Sequence, residues 1–186
     1  MNIEIVSGSP RFESITFRLA LFLKKYLQQI TEHNVDIIDV RKFNLVPMQE
    51  QVYTSVEATP EKYKDLSSRM FAADAFIMVT PEYNGSYTAA MKNLFDHFPK
   101  QAHKTFGIVT ASPGVLGGIR AALQLQQFIS ALFGIPSPYM LVTPHVDKKF
   151  SPEGELLDET YKKSIDVFVN EYLWLAENLK PEPVLS

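Results

Sequence analysis

The feature that most limits the fold is an alternation of apolar, strand-like runs with helix-like segments along the chain. The clearest run, Ala75–Thr80 (AFIMVT), is almost wholly apolar. A run of this kind indicates a strand that is buried on both faces, as in a parallel sheet between two layers of helices. Strands that alternate with helices are joined by right-handed crossovers. We therefore predict an α/β protein with a doubly wound parallel sheet.

Five strands and five helices can be placed on this pattern. The predicted strands are residues 3–6, 35–40, 75–80, 105–111 and 138–143. The predicted helices are residues 14–30, 60–72, 88–98, 117–133 and 157–179. The first helix carries apolar residues at helical spacing, and Pro60 suits a first helical turn. The chain has 186 residues and no repeat, linker or low-complexity tract, which predicts a single domain over residues 1–186.

Composition excludes several classes of function. The chain has no cysteine, so disulfides, thiolate nucleophiles and cysteine-ligated metals are ruled out. Its net charge of −3 gives no electrostatic reason to expect nucleic acid or an anionic membrane as a partner. The four histidines do not lie at metal-ligand spacing, so we expect no metal site. No signal peptide or membrane-spanning run is recognised, and we expect a soluble, cytoplasmic protein.

A hydroxyl-rich loop, residues 8–16 (GSPRFESIT), joins the first strand to the first helix. We call it the phosphate loop. Ser9, Ser14 and Thr16 offer hydroxyl groups, Arg11 offers a guanidinium, and the helix N-terminus offers free N–H groups. The chain lacks G-x-G-x-x-G and the P-loop motif, which argues against a dinucleotide or nucleoside triphosphate site. The loop suits a terminal phosphomonoester; the simpler alternative is helix capping by Ser14 or Thr16.

Two further loops follow the third and fourth strands, at the same carboxyl edge of the sheet, where doubly wound sheets bind ligands. The turn loop, residues 81–86 (PEYNGS), could line one edge of a flat ring, although Asn-Gly is also a strong turn signal. The glycine loop, residues 112–120 (SPGVLGGIR), offers bare N–H groups of the kind a flavin needs, or simply allows a tight turn. A phosphate cradle and a flat-ring clamp at one edge predict a flavin mononucleotide (FMN) site.

These motifs resemble those of the NAD(P)H-dependent FMN reductases of the flavodoxin-like fold, which include quinone, azo-dye and chromate reductases. The family pattern G-S-x-R-x-x-S-x-[NT] corresponds to residues 8–16, P-E-Y-N-x-S to residues 81–86, and S-x-G-x-x-G-G-x-R to residues 112–120. Pro10 and Pro113 depart from the usual pattern, and each removes one N–H group. The resemblance implies a three-layer fold, with a five-stranded parallel sheet of order 2-1-3-4-5 and helices on both faces.

The resemblance also implies which residues hold the cofactor. The residues implied for the FMN phosphate are Ser9, Arg11, Ser14, Ile15 (through its N–H) and Thr16. The residues implied for the isoalloxazine ring are Pro81, Glu82, Tyr83, Asn84, Ser112, Gly114, Gly117 and Gly118. NADPH or NADH would supply electrons, and a quinone, azo compound, free flavin or metal oxyanion would accept them. No side chain is predicted as a catalytic acid. A homodimer or homotetramer is implied as well.

Two other functions stay open from the sequence. The chain could be a flavodoxin-like electron carrier that acts with a protein partner, although flavodoxins are usually more acidic and lack an arginine equivalent to Arg11. It could also be a regulatory module that has lost its cofactor, although its loop residues are intact. Uptake of FMN and its reduction by NAD(P)H distinguish these alternatives from a reductase.

Overall fold

The computed structural model describes residues 1–49 and 52–179. Its strands are β1 (Asn2–Ser7), β2 (Asn34–Asp39), β3 (Ala75–Thr80), β4 (Thr105–Ser112), β5 (Ile135–Pro136) and β6 (Leu141–Pro144). Its α-helices are α1 (Ile15–Ile30), α2 (Val40–Phe43), α3 (Lys64–Ala72), α4 (Ala89–Asp96), α5 (Ile119–Ala131), α6 (Val146–Lys149) and α7 (Lys162–Asn178). The single-domain prediction also covers residues 50, 51 and 180–186, which lie outside the described residues, and it stays a prediction.

The strands form one parallel sheet in the order β2-β1-β3-β4-β5, with β6 also paired to β4. In the register, Ile5 of β1 lies between Ile37 of β2 and Ile77 of β3. The predicted order and the parallel direction are therefore confirmed. Because all strands run the same way, the loops after β1, β3 and β4 leave the sheet at one edge.

Side chains alternate between two hydrophobic cores, one on each face of the sheet. In β3, Ile77 and Val79 belong to the core beneath α1 and α7, whereas Phe76 and Met78 belong to the core beneath α3, α4 and α5. All four are fully buried. Strand side chains point alternately to opposite faces, so an apolar residue at every position requires helices on both sides. The apolar run in the sequence thus predicted the three layers correctly.

The predicted bounds of the fifth strand, residues 138–143, are wrong. Two short strands share that position beside β4. β5 pairs with Thr105 and Phe106 at the start of β4, and β6 pairs with residues 109–112 at its end. Pro136 and Pro138 fall where one strand stops and before the other begins. Proline has no N–H to donate to a neighbouring strand, so the hydrogen-bond ladder is interrupted there.

The last helix begins later than predicted. Leu157 donates its N–H to the carbonyl of Lys149 at 2.8 Å, so this residue belongs to the preceding loop. Asp158 then caps a 3₁₀ turn, Glu159–Tyr161, which leads into α7. The aspartate competes with helical hydrogen bonding by accepting the N–H of Thr160 at 3.1 Å.

No helix in the described ranges is long and apolar enough to cross a membrane.

Lys104 lies at the amino edge of the sheet, immediately before β4 and far along the strand from the carboxyl edge. Its Nζ donates to the side-chain oxygen of Gln101 at 2.8 Å and to the carbonyl oxygen of Met70 at 3.3 Å. Burial lowers the pKa of Lys104 from 10.5 to about 8, and the charge of Asp74 offsets only part of this effect. The ammonium group is therefore held in the fold at a cost in stability.

We expect stability to rise between pH 8 and pH 10.5, because over that range the folded chain has released the Lys104 proton and the unfolded chain still holds it. The contribution is at most about 1.4 kcal/mol per pH unit. Urea unfolding of wild type and Lys104→Met at both ends of this range measures it. The variant should lose this rise, whereas Lys163→Met, at an exposed position in α7, should keep it. An equal rise in all three proteins would contradict the prediction.

Candidate functional site

The phosphate, turn and glycine loops meet at the carboxyl edge of the sheet and enclose a cavity of about 280 Å³. The residues predicted for the site that line this cavity are Ser9, Arg11, Ser14, Ile15, Thr16, Pro81, Glu82, Tyr83 and Ser112. Val146, at the start of α6, closes one side and was not predicted. The structure therefore brings the phosphate loop and parts of both other loops around one open space.

The phosphate end of this cavity lies at the N-terminus of α1. Ser14 is the N-cap residue, and its Oγ accepts the N–H of Phe17 at 3.2 Å. The capping role considered for Ser14 is therefore present, yet the hydroxyl proton stays available to a second acceptor. The N–H groups of Ile15 and Thr16 begin the helix and have no acceptor within the described residues. Ser9 and Thr16 are buried beside them.

Arg11 supplies the positive charge at this end. Its guanidinium lies 5.1 Å from the centre of the Tyr83 ring, and the residue is exposed. No carboxylate in the described part of the chain forms an ion pair with it. An unpaired guanidinium beside free N–H groups is an anion site, because both favour negative charge at the same point. The fit to a phosphate ester therefore rests on charge as well as on hydrogen-bond donors.

The turn loop combines a tight turn with a cavity wall. Tyr83 and Ser86 exchange both backbone hydrogen bonds, at 2.8 and 3.1 Å. Asn84 and Gly85 between them have φ values of 51° and 80°, which a type I′ turn requires. Asn84 therefore lies exposed at the tip and does not line the cavity. The Tyr83 hydroxyl is buried without a hydrogen-bond partner among the described residues.

The Glu82 carboxylate caps α5. One oxygen accepts the N–H of Arg120 at 3.0 Å and that of Ala121 at 3.4 Å, and the other lies 3.6 Å from the Arg120 guanidinium. This contact joins the turn loop to the glycine loop. The sequence offered one signal for it: the residue before α5 is Gly118, which has no side chain to cap the helix, so an acid from elsewhere can do so.

Within the glycine loop, Gly117 and Gly118 shape the chain without lining the cavity. Both are buried, with φ values of 60° and 89°. A Cβ atom at Gly117 would lie 2.8 Å from the backbone nitrogen of Pro144. Gly114 is exposed, and its N–H donates to the Ser112 hydroxyl at 2.9 Å. The backbone path past β6 therefore depends on glycine at residue 117 in particular.

We expect Gly117→Ala to destabilise the protein by about 1–3 kcal/mol, because the new methyl group overlaps backbone atoms that cannot move away easily. Gly114→Ala is the matched control, since its Cβ would meet only the Ser112 Oγ at 3.3 Å. Urea unfolding measures both variants. Similar midpoints for the two would show that the close contact at Gly117 is relieved at little cost.

His145 also contacts the glycine loop. It precedes α6 with a φ of 51°, and its Nδ1 lies 3.0 Å from the carbonyl oxygen of Pro113. Sequence patterns predicted only a surface or supporting role for this histidine, because nothing in the neighbouring sequence indicates a contact across 32 residues.

Among residues 1–49 and 52–179, no cluster of three or more His, Asp or Glu side chains could hold a metal ion.

The chain is similar in sequence to known flavin-dependent proteins. The sequence model of the NADPH-dependent FMN reductase family matches residues 1–146. The chain is 27% identical over 184 residues to an FMN-dependent NADPH-azoreductase of Staphylococcus saprophyticus, with 94% of each chain covered. An enzyme of the same name from Staphylococcus aureus is 26% identical over 181 residues, also with 94% of each covered.

A similar fold occurs in a solved structure. FerB, a flavoenzyme NAD(P)H:(acceptor) oxidoreductase from Paracoccus denitrificans, superposes with a TM-score of 0.79 at 23% sequence identity. The match covers 97% of this chain and 99% of FerB. Together with the sheet order, this likeness confirms the predicted flavodoxin-like fold.

Proposed function

Since the chain belongs to the NADPH-dependent FMN reductase family, we propose that the three loops at the carboxyl edge of the sheet hold FMN. The chain is an FMN-dependent oxidoreductase that uses NAD(P)H. Bound FMN would supply the redox chemistry, namely hydride acceptance from NAD(P)H and electron transfer to a second substrate. The observation that carries the site proposal is the free first turn of α1 beside the unpaired Arg11 guanidinium.

The phosphate loop binds and orients the phosphate end. The N–H groups of Ile15 and Thr16 donate to phosphate oxygens, and the hydroxyls of Ser9 and Ser14 add further donors. Arg11 neutralises the charge, and its position near the Tyr83 ring keeps the guanidinium at the cavity rim. All these groups are hydrogen-bond donors. This end of the cavity therefore favours a dianionic phosphomonoester over the neutral end of a flavin that has no phosphate.

The turn and glycine loops position the ring. Pro81, Glu82, Tyr83 and Ser112 line the cavity, and Glu82 contributes through its backbone because its carboxylate caps α5. Asn84, Gly114, Gly117 and Gly118 act indirectly, by setting the shape of the two loops.

The electron acceptor is a small molecule, and we propose an azo compound as the first to test, because the curated relatives are named azoreductases. Quinones, free flavin and metal oxyanions are the other acceptors to test. The chain would act as one domain over residues 1–186 in the cytoplasm, where NAD(P)H is available.

We propose a homodimer or homotetramer as the working form. Phe12 is 95% exposed, and Val46 and Met48 are also exposed. Phe12 shares a surface depression with Leu45 and with Ala90 of α4, and Met48 shares a neighbouring depression with the same two residues. Exposed apolar side chains that lie in neighbouring depressions favour association. Light scattering at micromolar concentration would contradict this proposal if it gave the mass of a single chain.

Anaerobic absorption spectroscopy tests the proposed function. The purified protein is mixed with FMN, then with NADPH or NADH, and finally with an azo dye. We expect the bound-flavin spectrum to bleach with at least one pyridine nucleotide and to recover when the dye is reduced. A bound flavin that neither nucleotide bleaches would favour a flavodoxin-like electron carrier. Failure to bind FMN would contradict the proposed site.

A further inference from the structure

One arginine that does not line the cavity holds the phosphate loop in place through hydrogen bonds to its backbone. Arg41 lies in α2, and its Nε donates to the two carboxylate oxygens of Asp39 at 2.9 and 3.1 Å, while Nη2 donates at 2.6 Å. The remaining nitrogen, Nη1, donates to the carbonyl oxygens of Phe12 at 2.8 Å and Arg11 at 3.4 Å. The guanidinium also lies 4.4 Å from the centre of the Phe17 ring. One side chain thus joins the end of β2 to the phosphate loop and the first turn of α1.

The anchor for this arginine is rigid. Asp39 is the last residue of β2, is only 3% exposed, and lies opposite Ser7 of β1 in the sheet register. Its carboxylate also accepts the backbone N–H of Arg41 at 3.1 Å, which fixes the start of α2. Paired hydrogen bonds between a guanidinium and a carboxylate hold both groups in one orientation. The position of Nη1 is therefore set by the sheet rather than by the loop it contacts.

These contacts fix the direction of the loop N–H groups. In a trans peptide the C=O and N–H bonds point in opposite directions. The carbonyls of Arg11 and Phe12 point at Arg41, so the N–H groups that follow them, those of Phe12 and Glu13, point away from it. Arg41 does not line the cavity, whereas Glu13 lines both the cavity and one of the two surface depressions that Arg41 lines. The N–H groups of Phe12 and Glu13 are thus turned away from the Arg41 guanidinium.

We propose that Arg41, anchored by Asp39, is a positioning residue that sets the phosphate loop in its binding conformation before the phosphate arrives. The inference rests on the proposed function, since it concerns how the loop binds the phosphate of FMN. Arg41 is not itself a phosphate ligand, because its charge is paired with Asp39 and its donors are used. A loop that is already ordered loses less conformational entropy when it binds, so preorganisation appears directly as affinity.

The test compares FMN with riboflavin, which lacks only the phosphate. Dissociation constants for both ligands are measured by fluorescence quenching with wild type, Arg41→Met and Asp39→Asn. We expect both variants to bind FMN about tenfold more weakly, in the range for loss of a charge-assisted hydrogen bond, with little change for riboflavin. Lys42→Met, at the next and exposed position of α2, is the matched control and should bind both ligands as wild type does.

The ratio of the FMN and riboflavin affinities distinguishes a specific effect on the phosphate loop from a general loosening of the fold. A variant that simply loosens the fold would weaken both ligands equally, and an unchanged ratio in Arg41→Met would overturn the inference while leaving the proposed function intact. Should Arg41→Met fail to fold, Arg41→Lys keeps the charge but loses the paired geometry. We expect Arg41→Lys to lower FMN affinity selectively, and an unchanged ratio there would equally overturn the inference. Wild-type protein that binds no FMN would instead contradict the proposed function.

Discussion

Replacement of Arg69 by alanine is expected to lower the free energy of unfolding by about 3–5 kcal/mol, the usual cost of leaving a buried charge unpaired. Glu4 of β1 is only 7% exposed, and Arg69 of α3 donates to both of its carboxylate oxygens, at 2.9 and 2.5 Å. Burial raises the pKa of Glu4, and the hydrogen bond and charge of Arg69 oppose that rise. Without Arg69 the carboxylate would lie in the core with Asp36 opposite it in the sheet register.

The loss should depend on pH in a defined direction. In Arg69→Ala the pKa of Glu4 rises further above its unfolded value, so the variant is destabilised most at pH values above the folded pKa. Below the unfolded pKa the carboxyl is neutral in both states, and this part of the loss disappears. Urea unfolding at about pH 8 and at about pH 4, below the ordinary pKa of 4.5 for this carboxyl, measures the difference.

A double variant provides the control for Arg69. Glu4→Gln combined with Arg69→Met removes both charges and keeps similar side-chain volumes, so it should recover most of the lost stability. A loss below about 1 kcal/mol in Arg69→Ala, the level of an exposed ion pair, would show that this pair contributes no more than a surface contact. Equal losses in the single and double variants would show that packing, and not charge, explains the effect.

FMN affinity is expected to fall about 10- to 150-fold in Arg11→Gln, which corresponds to the 1.5–3 kcal/mol of a hydrogen bond to a charged group. Arg11 lines the phosphate end of the cavity and has no carboxylate partner among the described residues, so its charge is available to the ligand. Because the proposed contact is with the phosphate, riboflavin should bind to the variant and to wild type alike.

Salt provides a second measure of the same contact. Raising the ionic strength should weaken FMN binding more in wild type than in Arg11→Gln, since the variant has lost one of the charges that salt screens. Arg18→Gln is the matched control. Arg18 lies in the first turn of α1, donates to the carbonyl oxygen of Phe150 at 3.2 Å and does not line the cavity. A loss of FMN affinity in Arg18→Gln as large as that in Arg11→Gln would indicate a long-range electrostatic effect of positive charge near the cavity, rather than a direct contact between Arg11 and the phosphate.

Local pattern was sufficient to predict the layers, and the resemblance to a known family supplied the sheet order. Contacts between distant residues were not predictable in the same way. Phe76 and Ile77 are buried in opposite cores, as expected for a strand that is apolar at nearly every position. By contrast, Arg41 is separated from Phe12 by 29 residues, and Glu82 from Arg120 by 38. Nothing in the neighbouring sequence of either residue specifies its partner, because a long polar side chain is compatible with many surroundings.

The candidate site shows the same difference between features that local sequence predicts and features that depend on the folded backbone. The hydroxyl-rich pattern around Ser9 and Ser14 predicted a phosphate cradle at a helix N-terminus, and the structure places both residues on the cavity wall. The same motif implied that Asn84 helps to hold the ring, and this stays a prediction. In the structure Asn84 is exposed at the tip of the Asn84-Gly85 turn, where both residues have positive φ values, and it does not line the cavity. A motif specifies which residues occur together, and the backbone conformation decides which of them face the cavity.

The interrupted outer strand of the sheet has a consequence for solubility. A regular edge strand offers a row of free N–H and C=O groups onto which another chain can add, and this is a common route to fibrous aggregates. Here that edge consists of β5 and β6, of two and four residues, and each ends in a proline, Pro136 and Pro144. An incoming strand would find neither a continuous length nor a full set of donors. The break beside β4 thus protects this one edge of the sheet, and not the edge formed by β2, against edge-to-edge polymerisation.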